Sequence, residues 1–460
     1  MSSASPFYSG SGLTPDGLSP RKEICNYFSA YPVYSLAWSR REDRGAFRMA
    51  LGSFVEEAVN RVQIVQLSPH HDPNHAPDRA DFGLVAEKAV DYPLTKVLWQ
   101  PPPGYGRADL LAGVGDSLYL WECEPTGEAA EMGLMRSALR TRAKLTTRAD
   151  YAAPITSFDW NQVDPRLIIT SSIDTTCTVW DVETQQAKTQ LIAHDREVFD
   201  VAFVAGSQDV FASAGADGSI RMFDLRALEH STILYEAPPA VATATAAPLG
   251  VVGYADAGGM PAARQASFTP PLLRLACNAI DHNYIATFAL DSSAVAVIDV
   301  RSPGTPVMEL KGHRSPVHAI AWSPTSAAHL CSAAADSRVL VWDIHQALVT
   351  RSHHQRNAVA AAAQARHLSR LAAKDDAAAA AAAAAGGLPK SPHASAAAHA
   401  SAVQAAAQAA AAQANDQNPI QVAPSLTYAA RLPVNSLAWH QTAPEWISIG
   451  LGNTVQTLRL

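Results

Sequence analysis

The chain has 460 residues, a formal net charge of −7, 48% hydrophobic and 17% charged residues. That length admits two or three ordinary domains, or one domain spread over internal repeats. The acidic balance argues against a dedicated nucleic-acid or anionic-membrane binder, which needs a basic footprint. The five cysteines (25, 123, 177, 277 and 331) include no CxxC pair, so reduced thiols in the nucleus and cytoplasm are expected, not a disulfide frame.

Residues 1–21 carry no apolar run of the signal-peptide kind and read as a disordered tail. An apolar stretch follows, Ile24 to Ala30. From there the chain is a series of short alternating runs divided by turn residues, the pattern of antiparallel meanders. Seven such meanders are marked by the residue ending the first run of each: Trp38, Trp99, Trp160, Phe203, Cys277, Trp322 and Trp439. Two of the spacings, 43 and 45 residues, fit a repeat of roughly 40–45 residues; the other four, 61, 61, 74 and 117, call for insertions. Composition places these at 68–79 (polar), 124–149 (charged), 237–270 (Ala, Pro and Gly) and 350–418 (Ala, Gln, Ser and His). None has a periodic apolar face able to offset its ordering entropy, so loops are expected. The nine alanines from Ala377 to Ala385 are too few and too weakly apolar to cross a bilayer.

The clearest copy of the template runs from Leu310 to Ile344. It opens on Gly312-His313 and closes on Trp342-Asp343, and so resembles the WD repeat, whose four-stranded unit is one propeller blade. That pattern implies a buried polar chain in which Asp orients His and the Trp indole donates to a hydroxyl. Counted from the turn Asp, the hydroxyl lies at −4 and the Trp at +6. His313, Ser332, Asp336 and Trp342 fill all four places. Thr170, Asp174 and Trp180 fill three, with Tyr151 where His would stand, and His194, Ser213 and Asp217 fill three, with Phe223 in place of Trp. A His–Ser–Asp set could also be a hydrolase triad, but repetition at fixed offsets marks architecture, whereas a nucleophile stands alone on a strained turn. The last repeat stops at its third strand at Leu460, so Ile24 to Ala30 is expected to supply the fourth and close the ring. The fold expected over 22–460 is an all-β, seven-bladed propeller closed by the N-terminal strand.

Longer stretches are more specific: Met49 to Leu67, Pro154 to Thr184, Lys188 to Phe203 and Asp209 to Glu236. Together they resemble the family of the plant regulator Transparent Testa Glabra and the animal DDB-one- and cullin-four-associated factor seven, across all seven repeats; the Ala-rich insert is a departure. The resemblance implies a propeller without catalytic residues, cofactor or metal. It implies protein partners: kinases of the DYRK and HIPK type, transcription factors, or a cullin-four ligase adaptor. Two functions follow, a scaffold that assembles regulators with their targets, or a substrate receptor of a cullin-four ubiquitin ligase. A monomer with no direct nucleic-acid or membrane contact is expected.

Two groups are candidate partner contacts. Asp224-Leu-Arg226 and Asp299-Val-Arg301 resemble the W-D-x-R box of cullin-four receptors without its Trp. Their arginines could present a planar fork to a partner, or could pair within the blade. Phe54, Glu56 and Glu57 stand in a turn, where an aromatic beside acids suits a client contact or packs under the next blade. The histidines 70, 71 and 75 with Asp72 lie in a polar, Pro-flanked run and read as incidental. The basic run Arg136 to Arg148 reads as a solvated loop.

Overall fold

The computed structural model describes residues 23–42, 47–56, 59–69, 80–102, 109–129, 133–146, 153–241, 267–349 and 419–460. Alternating β-branched and aromatic residues form short strands, arranged as seven antiparallel sheets around a central channel. Blade one is built from Val33–Trp38, Arg48–Ser53, Asn60–Leu67 and Phe82–Val90, running outward from the channel. The inner strands of blades two to seven are Lys96–Trp99, Ile155–Trp160, Val198–Phe203, Leu272–Cys277, Val317–Trp322 and Ser436–Trp439. The residues counted along the sequence thus end all seven inner strands. Blade seven closes as expected: Ile24–Phe28 pairs antiparallel with Thr454–Arg459, from Ile24 opposite Leu458 to Phe28 opposite Thr454.

The core is divided among the seams. Seven clusters of buried apolar residues correspond to the seven contacts between neighbouring blades. Phe158, Trp160 and Trp180 of blade three pack on Leu110, Leu118 and Leu120 of blade two. Cys25, Tyr27 and Val455 of blade seven pack on Trp38, Met49 and Phe82 of blade one. Each blade therefore buries its two faces only against its neighbours, as in repeat proteins generally. Truncating one of these wholly buried indoles would cost about 3–5 kcal/mol.

The structure corrects the loop expected over 124–149 and the expected place of the longest insertion, between blades six and seven, and it adds one strand. The segment 124–149 is largely strand: Leu118–Ala129 pairs with Met135–Leu145, the outermost strand of blade two. In that strand Ser137, Leu139, Ala143 and Leu145 are buried, while the arginines between them face water. The run from Arg136 through Leu145 is therefore a charged edge strand, a common protection for a sheet edge, and not a solvated loop. Second, the longest insertion does not divide blade six from blade seven. It divides the third strand of blade six, Arg338–Asp343, from its fourth, Leu426–Ala429. Third, Ile420–Val422 adds in parallel to Met308–Lys311, giving blade five a fifth strand. Residues at the edges of 237–270 form a short ribbon, Ala240–Val241 with Ser267–Phe268. The expected tail over 1–21, the centre of that insertion, and residues 70–79 and 350–418 lie outside the described residues.

The outer strand of blade two gives a direct test. Limited trypsinolysis of the native protein should spare the bonds after Arg140, Arg142 and Lys144, because paired backbone cannot enter a protease cleft without local unfolding. Early cleavage there, with the rest of the fold intact, would show that this segment is a loop.

Candidate functional site

The polar chain of blade six brings its four residues together. His313 Nδ1 lies 3.1 Å from Asp336 Oδ1, and Nε2 lies 2.8 Å from Ser332 Oγ. The Trp342 indole donates to the same hydroxyl at 2.9 Å. A carboxylate only accepts, so Nδ1 carries the proton and Nε2 accepts from the serine O–H. Every polar atom is used, and no nucleophile is left facing a cleft. Gly312 is required here, since a Cβ would stand 2.9 Å from Leu340 and 3.0 Å from the Trp342 ring. Burial lowers the His313 pKa against the opposing pull of Asp336.

Blade four repeats the arrangement without the indole. His194 bonds both Asp217 oxygens at 3.0 Å and Ser213 Oγ at 2.7 Å, and Phe223 stacks on Phe211 at 5.1 Å. Burial pushes the Asp217 carboxyl upward, but hydrogen bonds from His194 and Ser219 outweigh it and hold the group well below the usual carboxylate range. In blade three Trp180 donates to Thr170 Oγ1 at 2.9 Å. Asp174, expected in that chain, is exposed and instead accepts from Thr176 N and Oγ1 in the turn. Blade two builds a different network that the sequence reading missed. Tyr119 donates to Asp116 at 2.7 Å, and Lys144 pairs with Asp116 at 2.8 Å. Burial and that bond push the Tyr119 phenol up to about 12.

The Asp-x-Arg pairs lie where third strands leave blades four and five. Arg226 is bidentate on Asp224, at 2.9 and 2.6 Å, and Arg301 is bidentate on Asp299, at 2.9 and 2.8 Å. Arg301 also reaches Tyr284 OH at 3.2 Å. The Arg226 hydrogen bonds draw the Asp224 pKa down to about 2. Both forks thus close on their own aspartates, yet the arginine side chains stay 70% and 55% exposed. A third pair, Arg166 on Asp164 at 2.9 and 2.9 Å, sits on the same face, in the loop after the inner strand of blade three. On the opposite face Phe54 is exposed and rests on Tyr34 with ring centroids 5.0 Å apart. Its turn is braced by buried Asn60, which accepts from Val55 N at 2.8 Å and donates to Val55 O at 2.9 Å. Glu56 is exposed, and Glu57 lies outside the described residues.

The channel has a volume near 720 Å³ and carries charges that no motif announces. They fall three residues before each inner-strand end: Ser35, Lys96, Ser157, Asp200, Arg274, Ala319 and Ser436. Asp200 is 1% exposed and joins four blades. It accepts from Ser157 Oγ, from Val201 N at 2.9 Å and from Leu275 N at 2.7 Å, with Lys96 Nζ at 3.5 Å. Asp159, on the inner strand of blade three, accepts from Phe203 N at 2.8 Å, and Arg40 of the channel lining donates to Gln162. Burial raises the Asp159 pKa and lowers that of Arg40. Counting back from the strand ends would have found this band.

Two measurements follow. Ser332→Ala leaves the His313 Nε2 and the Trp342 N–H unpaired in the core, at a cost of about 2–4 kcal/mol. Asp174→Ala should stay within about 0.5 kcal/mol. Urea unfolding at pH 7 compares them, and equal costs would contradict the assignment. The depressed Asp217 carboxyl adds stability that is fully present above its unfolded pKa near 4 and is lost as pH falls below it. Asp217→Asn should therefore flatten the acid limb of the stability curve, and an unchanged limb would contradict that role.

The "WD domain, G-beta repeat" family model matches residues 144–181, 185–224 and 304–343. The chain is 36% identical to the DDB1- and CUL4-associated factor 7 homolog of Dictyostelium discoideum over 96% of its own length and 99% of that protein. It is 39% identical to an uncharacterized WD repeat-containing protein of Schizosaccharomyces pombe, over 72% of each chain. It is also 39% identical to the WD repeat-containing protein YPL247C of Saccharomyces cerevisiae, over 71% of this chain and 59% of that one. The chain therefore belongs to the family of the DDB1- and CUL4-associated factor 7 homolog, as a seven-bladed WD-repeat propeller.

Proposed function

We propose that this chain is a non-catalytic adaptor that assembles other proteins on the rims of its propeller. One observation carries the reading: the His–Ser–Asp sets that could have been catalytic are buried, repeated between blades, and saturated by their own partners. What remains available is the rims, with exposed arginines on one face and exposed aromatic and aliphatic residues on the other. Kinases of the DYRK and HIPK type and transcription regulators, in nucleus and cytoplasm, are the clients that the family resemblance suggests.

A second reading is a substrate receptor for a cullin-four ligase. The name of the Dictyostelium relative ties that protein to DDB1 and CUL4. Three bidentate Asp-x-Arg pairs on one face of consecutive blades favour it. Arg226 and Arg301 meet their aspartates through Nε and Nη2, so Nη1 can donate to a partner's carbonyl or carboxylate. Pull-down with purified DDB1 tests this: Arg226→Glu/Arg301→Glu should reduce capture at least tenfold. Unchanged capture removes the ligase reading and leaves the scaffold.

A further inference from the structure

We propose that the channel mouth binds one carboxylate side chain, an aspartate or glutamate from an extended segment of a partner protein, held by Arg274. The site lies at the end where each inner strand begins, opposite the Asp-x-Arg face.

Most of the channel's charges are already engaged. The channel lining holds three cations, Arg40, Lys96 and Arg274, and one acid, Asp200. Lys96 is engaged by Asp200 and by Ser157 Oγ at 3.2 Å. Arg40 is engaged by Gln162 and lies in the field of Asp159. Neither Arg40 nor Arg274 has an acid in ion-pair reach among the described residues, but Arg40 lies at the opposite end and is met by the Gln162 side chain. Only Nη1 of Arg274 is bonded, to Leu273 O at 2.9 Å and Phe199 O at 3.5 Å. Among the described residues Nε and Nη2 have no hydrogen-bond acceptor, and the half-buried side chain lines a cavity large enough for another side chain. A guanidinium partly withdrawn from water gains most from a bidentate carboxylate.

Arg274 also stands on a rigid strand. Thr287 Oγ1 donates to Arg274 O at 2.8 Å, and the next amide, Leu275 N, is held by Asp200 at 2.7 Å. The peptide unit that follows Arg274 is thus clamped at both its carbonyl and its amide, so the backbone that carries the guanidinium adds little ordering cost. His318 is exposed and anchored by Nδ1 on Val434 O at 2.9 Å. A carbonyl only accepts, so Nδ1 carries the proton and Nε2 is an acceptor, which leaves the carboxylate to Arg274.

Charge then chooses between oxyanions. Counting Asp159 with the four lining charges leaves one net positive charge, which matches a carboxylate. A phosphate carries about −1.5 to −2 and would remain half uncompensated. The Tyr34–Phe54 pair stands at this mouth, and Tyr92, Leu290 and Leu432 are exposed on the same face. The favoured segment is therefore an acid flanked by apolar residues. The proposal rests on the adaptor reading only in making the ligand a protein, and it is independent of the Asp-x-Arg face.

Synthetic pentapeptide pools test it against the full chain by fluorescence anisotropy. Each pool fixes Asp, Glu, Asn, Gln or phosphoserine at the centre and draws its flanks from Leu, Val, Phe, Ser and Gly. The Asp and Glu pools should bind at least tenfold more tightly than the Asn and Gln pools. Arg274→Gln should abolish that preference, Arg274→Lys should keep part of it, and Arg226→Glu/Arg301→Glu should leave it intact. Since a substitution in the channel can disturb folding, the Arg274 Nε–H resonance of the unsubstituted protein is followed as well, and should shift on adding the Glu pool. Equal affinity for acid and amide pools, no binding by any pool, or an unmoved resonance would overturn the proposal. A stronger phosphoserine pool would replace the carboxylate with phosphate, and self-association lost in Arg274→Gln would name a second copy as the occupant; either would overturn it as stated.

Discussion

The pairing of Ile24–Phe28 with Thr454–Arg459 joins the two ends of the chain, 430 residues apart at Asn26 and Gln456, whose side chains also meet at 3.0 Å. Without it, blade seven would have three strands and blade one would lose part of the surface it packs against, since Cys25 and Tyr27 belong to that seam. A linear stack of blades would leave an open face at each end; a closed ring leaves none. The closing seam is further tied by Asn435 Nδ2 donating to Val33 O at 2.8 Å. Aromatic packing there is dense, with Trp38 4.3 Å from the His440 ring and Phe47 5.7 Å from Trp446.

Because the core is split among seven seams, polar ties between blades matter more than in a domain with one central core. Trp99 reaches back to Ala37 O at 3.3 Å, and Trp322 to Ala276 O at 2.8 Å. Thr156 reaches forward to Val198 O at 2.6 Å. Asp159 and Asp200 each accept a backbone amide of the following blade. These bonds fix the stagger of the inner strands and so the width of the channel. The blades supply a rigid frame, and its loops are free to differ, which is the usual division between scaffold and binding surface.

Much of this was legible in the sequence. Strand alternation and the strand-ending aromatics located all seven inner strands, and the missing last strand pointed to Ile24. The polar chain of blade six was readable because all four residues stand at fixed offsets. Other features were hidden for physical reasons. Met135–Leu145 alternates only in part, and four of its six exposed positions are arginine or lysine, so it reads like solvated chain until its partner strand is known. Ile420–Val422 is only three residues long and follows a low-complexity stretch. Asp174 matches the offset, yet offset alone cannot tell a buried carboxylate from one that caps its own turn. The channel charges belong to no motif, because each comes from a different blade and only closure brings them together.

Hydrogen exchange measured by mass spectrometry tests the closed ring most directly. The account predicts that amides of Ile24–Phe28 and Thr454–Arg459 exchange as slowly as those of His329–Ala334 in blade six, since all would open only with the whole ring. Fast exchange in the first pair of strands, while blade six stays protected, would show a ring that opens at the seam and would contradict it.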